Sequence, residues 1–218
     1  TDLGGFVAST YMRGIPFINI PTSLLAMVDA SVGGKTGVDL GALKNLVGVI
    51  NNPKGVLIYP DFLATLPTEE LRSGMAEMFK HGLISDEGYW HKMCNLSELT
   101  EAHLGSLIYE SVIIKNEVVT QDPTEKGLRK TLNYGHTLGH AIESYCLQNP
   151  NRERLLHGEA IAIGMVLATY LSVKELGFSM DKCDQVKAVL GEYFKKQDFT
   201  YEEITDICQL MRFDKKNV

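Results

Sequence analysis

The residues best suited to chemistry lie in the stretch Asn133-Tyr134-Gly135-His136-Thr137-Leu138-Gly139-His140-Ala141-Ile142-Glu143. If the chain turns helical at Gly135, His136 and His140 stand four apart on one face, one turn from each other. Such a pair offers two imidazoles to one cation, or one ligand and one proton carrier. A third histidine, His157, opens the next helical pattern after Leu155-Leu156. Three histidines, or two with a carboxylate, around a position left to water form the usual catalytic zinc site. Glu77 is the candidate carboxylate. Its neighbours in Ser73-Gly74-Met75-Ala76-Glu77-Met78-Phe79-Lys80 are mostly apolar or small, and a carboxylate on a buried face needs a partner or a metal. Lys80 shares that face, so an ordinary ion pair accounts for the two equally well. His81, His91 and His103, each alone in its pattern, read as structural or exposed.

A second constellation suits anions. Ser31-Val32-Gly33-Gly34-Lys35-Thr36-Gly37 resembles a phosphate cradle, because glycines let backbone N–H groups converge while Lys35 adds charge. It is not a Walker A loop, since Asp29 stands where that pattern requires glycine. Further cations appear in unusual company: Arg13, Lys44 beside Asn45, Lys115 after the apolar Val112-Ile113-Ile114, and Arg129 shortly before Asn133. Lys115 reads as a side chain that snorkels from a buried face. Arg129 carries the planar fork suited to carboxylate or phosphate. Taken singly, each is a solvated charge; together with the histidines they describe a polyanionic substrate held over a metal.

These residues need elements to position them. Ile15–Ile20 and Gly55–Tyr59 read as short buried strands, with the loop-rich stretch at Ser31–Gly37 between them. After Pro67 the pattern becomes helical: Thr68 can cap a helix with Glu69 and Glu70 in its first turn. Helical patterns run over Leu71–Ile84, Leu104–Thr120, His136–Leu147, His157–Leu176 and Asp181–Lys195. Gly177 is a stop signal, and Asn149-Pro150-Asn151 is a turn. The expectation is an α/β remnant at 1–66 followed by an all-α domain at 67–218, joined near Leu66-Pro67.

The chain has 218 residues, 44% hydrophobic, with a net charge of -6. That length can bury a core without covalent staples. No basic stripe appears, which argues against nucleic acid and means that an anionic ligand needs a local cluster of cations. The four cysteines, Cys94, Cys146, Cys183 and Cys208, form no CxxC and read as buried free thiols in a reducing compartment. The longest apolar run, Ala160–Leu171, is too short for a membrane span. A cytoplasmic protein is expected.

The ordered blocks Asp2-Leu3-Gly4-Gly5-Phe6, Tyr11-Met12-Arg13-Gly14, Pro21-Thr22-Ser23-Leu24-Leu25-Ala26 and Val28-Asp29-Ala30-Ser31-Val32-Gly33-Gly34-Lys35-Thr36-Gly37 resemble the 3-dehydroquinate synthases, of the sugar-phosphate cyclase superfamily. So do Lys44-Asn45-Leu46, Ala76-Glu77, Leu132-Asn133-Tyr134-Gly135-His136-Thr137, His157-Gly158-Glu159-Ala160 and Asp214-Lys215-Lys216-Asn217. The resemblance implies the remnant of a dinucleotide-binding α/β domain, then an all-α metal- and substrate-binding domain. It implies zinc, or cobalt, on Glu77, His136 and His157, with His140 as an acid/base or phosphate-contacting group. Lys80, Lys115, Arg129 and Asn133 would line the substrate pocket. Arg13, Lys35, Asn45, His140 and a lysine of the 215–216 pair, taken as Lys216, would surround phosphate. Asp2, Thr22, Ser23, Asp29, Lys35, Lys44, Phe62 and Thr65 would line the NAD site or its junction with substrate.

In the family the Arg13 equivalent reaches in from a partner subunit, which implies a homodimer. The implied activity converts 3-deoxy-arabino-heptulosonate 7-phosphate to 3-dehydroquinate with release of phosphate. Against that resemblance the family's amino-terminal nucleotide-binding region is expected to be missing apart from its last turn, and this chain alone is expected to keep zinc, lack saturable NAD binding and be inactive. The alternatives are a cyclase of neutral sugar phosphates (deoxy-inosose or valiolone type), a metal-dependent alcohol dehydrogenase of related fold, and a non-catalytic metal-stabilised dimerisation module.

Overall fold

The computed structural model describes residues 1–40, 43–95 and 101–211, the side chains of 39, 40, 43–45, 101 and 102 excepted. The chain divides into two compact units, Thr1–Arg129 and Lys130–Val218. Composition placed the join at 66/67 instead. The difference arises because two of the helices after Pro67 pack back onto the turn at Ala26–Ala30.

The first unit opens with α1 (Asp2–Thr10), a helix where the glycine pair Gly4-Gly5 reads as a turn. Two short strands, β1 (Ile18–Asn19) and β4 (Gly55–Val56), pair in parallel, with Ile18 opposite Gly55. They are shorter than the apolar runs predicted, and Ile15, Ile18, Ile20, Leu57 and Tyr59 are exposed rather than buried. The stretch expected to be a loop becomes a strand at its end. Gly33 and Gly34 turn the chain with φ of 100° and 67°. Lys35 then opens β2 (Lys35–Leu40), which pairs antiparallel with β3 (Leu43–Ile50), Lys35 opposite Ile50.

Helices α2 (Thr68–Ser85), α3 (Glu87–Cys94) and α4 (Glu101–Gln121) complete this unit. Pro67 takes the N-cap position of α2, so Thr68 begins the helix rather than capping it; Glu69 and Glu70 occupy the first turn as expected. Every residue from Ser73 to Gly82 is buried, which is the reason a carboxylate and a lysine on this helix require partners. The π-helical turn Ala26–Ala30 lies against α2 and α4, with Met27 and Val28 fully buried.

The second unit is all helical: α5 (His136–Gln148), α6 (His157–Leu176), α7 (Met180–Tyr193) and α8 (Tyr201–Met211). Helices α5 and α6 cross at backbone contact. A Cβ on Gly164 would stand 2.0 Å from the Gly135 carbonyl oxygen, and one on Gly139 would stand 3.0 Å from that of Ala160. No side chain fits between such backbones. Gly177 ends α6 in the left-handed conformation, φ 71°, as predicted. Asn149 closes the predicted turn by accepting the Asn151 N–H at 3.0 Å.

Helix α8 was not predicted, although its signal is present. In Thr200-Tyr201-Glu202-Glu203 the Glu203 N–H reaches Thr200 Oγ1 at 3.3 Å and Glu203 Oε2 accepts the Thr200 N–H at 2.7 Å, a capping box. Its apolar face, with Ile207, Leu210 and Met211, packs on Ala141, Ile142 and Cys146 of α5. Arg152 ties the same helix from outside. Its Nε donates to Glu203 Oε1 at 2.6 Å, its Nη2 donates to Glu203 Oε2 and the Asp198 carbonyl, and its guanidinium lies 4.9 Å over the Phe199 ring.

Hydrogen bonds from Arg152, followed by the Thr200 N–H, lower the Glu203 carboxyl from 4.5 to about 2. A depressed carboxylate contributes stability above its unfolded pKa and loses it as pH falls through the folded one. The stability gap between this chain and its Glu203→Gln variant, read as urea midpoints, should therefore be full above pH 4.5 and close as pH approaches about 2. A gap that stays constant across that range would refute the assignment.

Candidate functional site

In the second unit, helix geometry brings three imidazoles together. His136 is the first residue of α5 and buried, His140 lies one turn on, and His157 is the first residue of α6. Ring centroids are 5.3 Å apart for His136–His140, 5.7 Å for His136–His157 and 5.7 Å for His140–His157. One ligand atom from each lies within 4.8 Å of the other two.

The rings are also oriented for metal. His136 Nδ1 stands 3.1 Å from the Tyr134 carbonyl oxygen and His157 Nδ1 stands 3.3 Å from Glu143 Oε2. A carbonyl or carboxylate oxygen only accepts, so in both rings Nδ1 carries a proton, and in the neutral imidazole the lone pair then falls on Nε2. Histidine backed by a carbonyl or a carboxylate is the usual arrangement behind a metal-ligating ring. This donor set therefore fits zinc or cobalt. Glu143 ends the motif read in the sequence, yet its position behind His157 was not foreseen, because the two meet only when α5 and α6 cross. At the start of α6, Glu159 Oε2 accepts the Leu156 N–H at 2.7 Å and fixes the turn that presents His157.

In the first unit, Glu77, Lys80 and His81 from α2 and Ser111 and Lys115 from α4 meet Asp29 of the π-helical turn. Glu77, His81 and Ser111 are fully buried, and Lys80 and Lys115 are 1% and 6% exposed. Lys80 Nζ pairs with Glu77 Oε2 and lies 3.8 Å from Asp29 Oδ1. Lys115 Nζ bonds Asp29 Oδ1 at 2.7 Å and also the Asp29 carbonyl. Burial opposes the charge of the Asp29 carboxyl, but Lys115 and Lys80 outweigh it and hold the group well below the ordinary carboxylate range. Burial works against the Lys80 ammonium too, yet Glu77 and Asp29 raise its pKa overall; for Lys115 burial wins and the pKa falls.

His81 is pushed down to about 3 by burial and by Lys80, so it is neutral and structural, with Nδ1 2.7 Å from Ser111 Oγ. Asp29, Glu77 and His81 form a second group whose ligand atoms lie within 4.8 Å, but there two ammonium groups already stand against the carboxylates.

The other predicted residues are placed as follows. Arg129, buried, donates from Nη1 to the Pro123 carbonyl at 2.9 Å and from Nη2 to that of Gly33 at 2.8 Å. Lys35 pairs with Glu125. Asp2, Thr22, Phe62 and Thr65 are exposed, and so is Arg13, whose φ is 66°; Ser23 is half-buried and its Oγ accepts the Ala26 N–H at 3.3 Å. Asn133 is half-buried at the end of the 3₁₀ segment Leu128–Asn133, just ahead of α5. Lys44 and Asn45 belong to β3, with side chains outside the described ones, and Lys215 and Lys216 lie outside the described residues. All four cysteines are free thiols; Cys146 and Cys183 are buried, whereas Cys208 is exposed. Among the described residues no helix is long and apolar enough to cross a membrane.

This architecture is that of the sugar-phosphate cyclases. The 2-epi-5-epi-valiolone synthase of Streptomyces hygroscopicus subsp. jinggangensis, solved with NAD+ and Zn2+ bound, superposes with a TM-score of 0.83 at 30% identity, over 99% of this chain and 61% of that one. A 2-deoxy-scyllo-inosose synthase, solved with carbaglucose-6-phosphate, NAD+ and Co2+, gives 0.82 at 28% identity, over 99% and 59%.

Sequence profiles narrow the class: the one for 3-dehydroquinate synthase N-terminal matches residues 1–73 and the one for 3-dehydroquinate synthase C-terminal matches residues 74–217. The chain belongs to the 3-dehydroquinate synthase family. It is 47% identical over 219 residues to the 3-dehydroquinate synthase of Parabacteroides distasonis, covering 100% of this chain and 62% of that protein. Against that of Clostridium botulinum it is 45% identical, over 100% and 61%. The chain thus spans about three fifths of the length of these relatives.

Removing a carboxylate behind a metal-bound histidine typically costs 10–100-fold in metal affinity. Glu143→Ala should therefore weaken zinc binding by about that factor in a chelator competition. Unchanged affinity would exclude Glu143 from the metal centre.

Proposed function

We propose that this chain supplies the metal- and substrate-binding part of a 3-dehydroquinate synthase. The reaction is the cyclisation of 3-deoxy-arabino-heptulosonate 7-phosphate to 3-dehydroquinate, with loss of phosphate. The observation that carries the reading is the cluster of His136, His140 and His157, with the Nε2 lone pairs of His136 and His157 set by Tyr134 O and Glu143. Membership of the family and 42–47% identity to its curated members support the choice of substrate over a neutral sugar phosphate.

In this proposal Glu77, His136 and His157 hold zinc or cobalt, and His140 is the proton carrier of the four-spaced pair. When bound, such a metal would supply Lewis acidity toward a substrate hydroxyl, and NAD would supply hydride chemistry. Lys80, Lys115, Arg129 and Asn133 bind the substrate, with Lys115 and Arg129 on its carboxylate. Arg13, Asn45 and Lys216 join Lys35 and His140 at the phosphate. Asp2, Thr22, Ser23, Asp29, Lys35, Lys44, Phe62 and Thr65 serve NAD or its junction with substrate.

A net charge of -6 repels a sugar phosphate at long range, so binding depends on this local positive charge. The raised pKa of Lys80 keeps it an ammonium throughout the physiological range. An imidazole carries one nitrogen that can donate and one that can accept, which suits His140 to acid/base work. A cytoplasmic homodimer in which Arg13 serves the partner's site completes the proposal.

Lewis-acid catalysis is worth several kcal/mol, and each 1.36 kcal/mol is tenfold in rate. In the full-length protein, His136→Ala and His157→Ala should each lose bound zinc and reduce phosphate release by about 100-fold or more. Near-normal zinc content and turnover in both variants would reject the function. Equal turnover of a neutral sugar phosphate and the carboxylated one would reassign the chain to the neutral-substrate cyclases.

A further inference from the structure

Arg129 lies at the start of the 3₁₀ segment Leu128–Asn133, and the loop that leads into it takes its shape from one side chain. Asp122, one residue past the end of α4, turns its carboxylate back over the following backbone. Its Oδ1 accepts the Lys126 N–H at 3.0 Å, and its Oδ2 accepts those of Gly127 at 2.7 Å and Arg129 at 3.0 Å. These N–H groups, Gly127 foremost, hold the Asp122 carboxyl below the ordinary range. The loop so formed delivers the Arg129 guanidinium to two carbonyls, Pro123 on one side and Gly33 on the other. Two of five N–H donors are then fixed, and a planar fork held at two points has one orientation.

Gly33 completes the seat. A Cβ there would stand 2.6 Å from Arg129 Nη2, and its φ of +100° already disfavours any other residue. The same loop places Glu125, at a left-handed φ of 60°, against Lys35.

We propose that Asp122 is a positioning residue: by gathering three backbone N–H groups it folds 122–129 so that Arg129 presents its remaining donors to the substrate carboxylate. The inference rests on the proposed role of Arg129. Nothing in the sequence singles out Asp122, because an aspartate after a helix followed by proline reads as an ordinary turn residue. The three-fold acceptance and the buried guanidinium at the loop's far end distinguish it from one.

The test is steady-state kinetics of phosphate release by the full-length protein, with melting temperature recorded alongside. Misplacing a binding group by about 1 Å can cost about 100-fold. Asp122→Ala should raise KM for the carboxylated sugar phosphate about 10- to 100-fold, with a much smaller change in kcat. Asp122→Asn, which keeps one acceptor oxygen and guards against a folding defect in the alanine variant, should fall between. In an Arg129→Ala background, Asp122→Ala should add less than about threefold, because two residues acting as one unit are not additive. A merely structural role would lower the melting temperature without that loss of additivity.

Additive effects in the cycle, or an unchanged KM in Asp122→Ala while Arg129→Ala raises it, would overturn the positioning role alone. An unchanged KM in Arg129→Ala would overturn both the inference and the assignment of Arg129 beneath it.

Discussion

A neutral imidazole has one proton to place, and only the nitrogen without it can face a cation. The second unit satisfies this constraint with its own atoms. The Tyr134 carbonyl and the Glu143 carboxylate engage Nδ1 of His136 and His157, so both lone pairs are committed to Nε2. Neither partner lies next in sequence to its histidine. Tyr134 reaches His136 only because the chain turns into a helix through Gly135, which has φ of 76°. Glu143 reaches His157 only because α5 and α6 cross where both backbones are bare. Helix capping, glycine placement and imidazole chemistry are one arrangement seen at three scales.

The first unit solves a different problem, that of keeping charges inside protein. Taking an ion out of water is costly, and only close opposite charge offsets the loss. Glu77, Lys80 and Lys115, buried, and Asp29, half-buried, answer by alternating in sign, and His81 stays neutral beside them. A cluster of this kind contributes little net stability, and replacement by apolar side chains is often neutral or better. Strongly perturbed groups gathered at one place point instead to function. That logic agrees with the substrate- and cofactor-facing roles proposed for these side chains.

Much of this was legible in the sequence. The five helical patterns were found because their apolar spacing is regular, and Gly177 and Asn149-Pro150-Asn151 were found because turn chemistry is local. The histidine group was legible to the point of naming its members, since a four-residue spacing on a helix is already a distance. Other features escaped for physical reasons. Asp2–Thr10 contains two adjacent glycines, which local propensity assigns to a turn, yet the segment packs as a helix against β2. Ile15–Ile20 and Gly55–Tyr59 looked buried because apolar runs usually are, whereas several of their side chains lie at the surface. Lys35 paired with Glu125, and Glu143 with His157, are separated by many residues of chain, and no periodicity predicts such meetings.

The contact between Gly164 and the Gly135 carbonyl limits what the chain tolerates. When a crowding atom belongs to a side chain, a second substitution can clear it; here the obstruction is main chain, common to every amino acid. Any side chain at 164 therefore requires α5 and α6 to move apart. Because His136 and His157 open those two helices, a graft at this remote glycine would be read out as a widened gap between imidazoles.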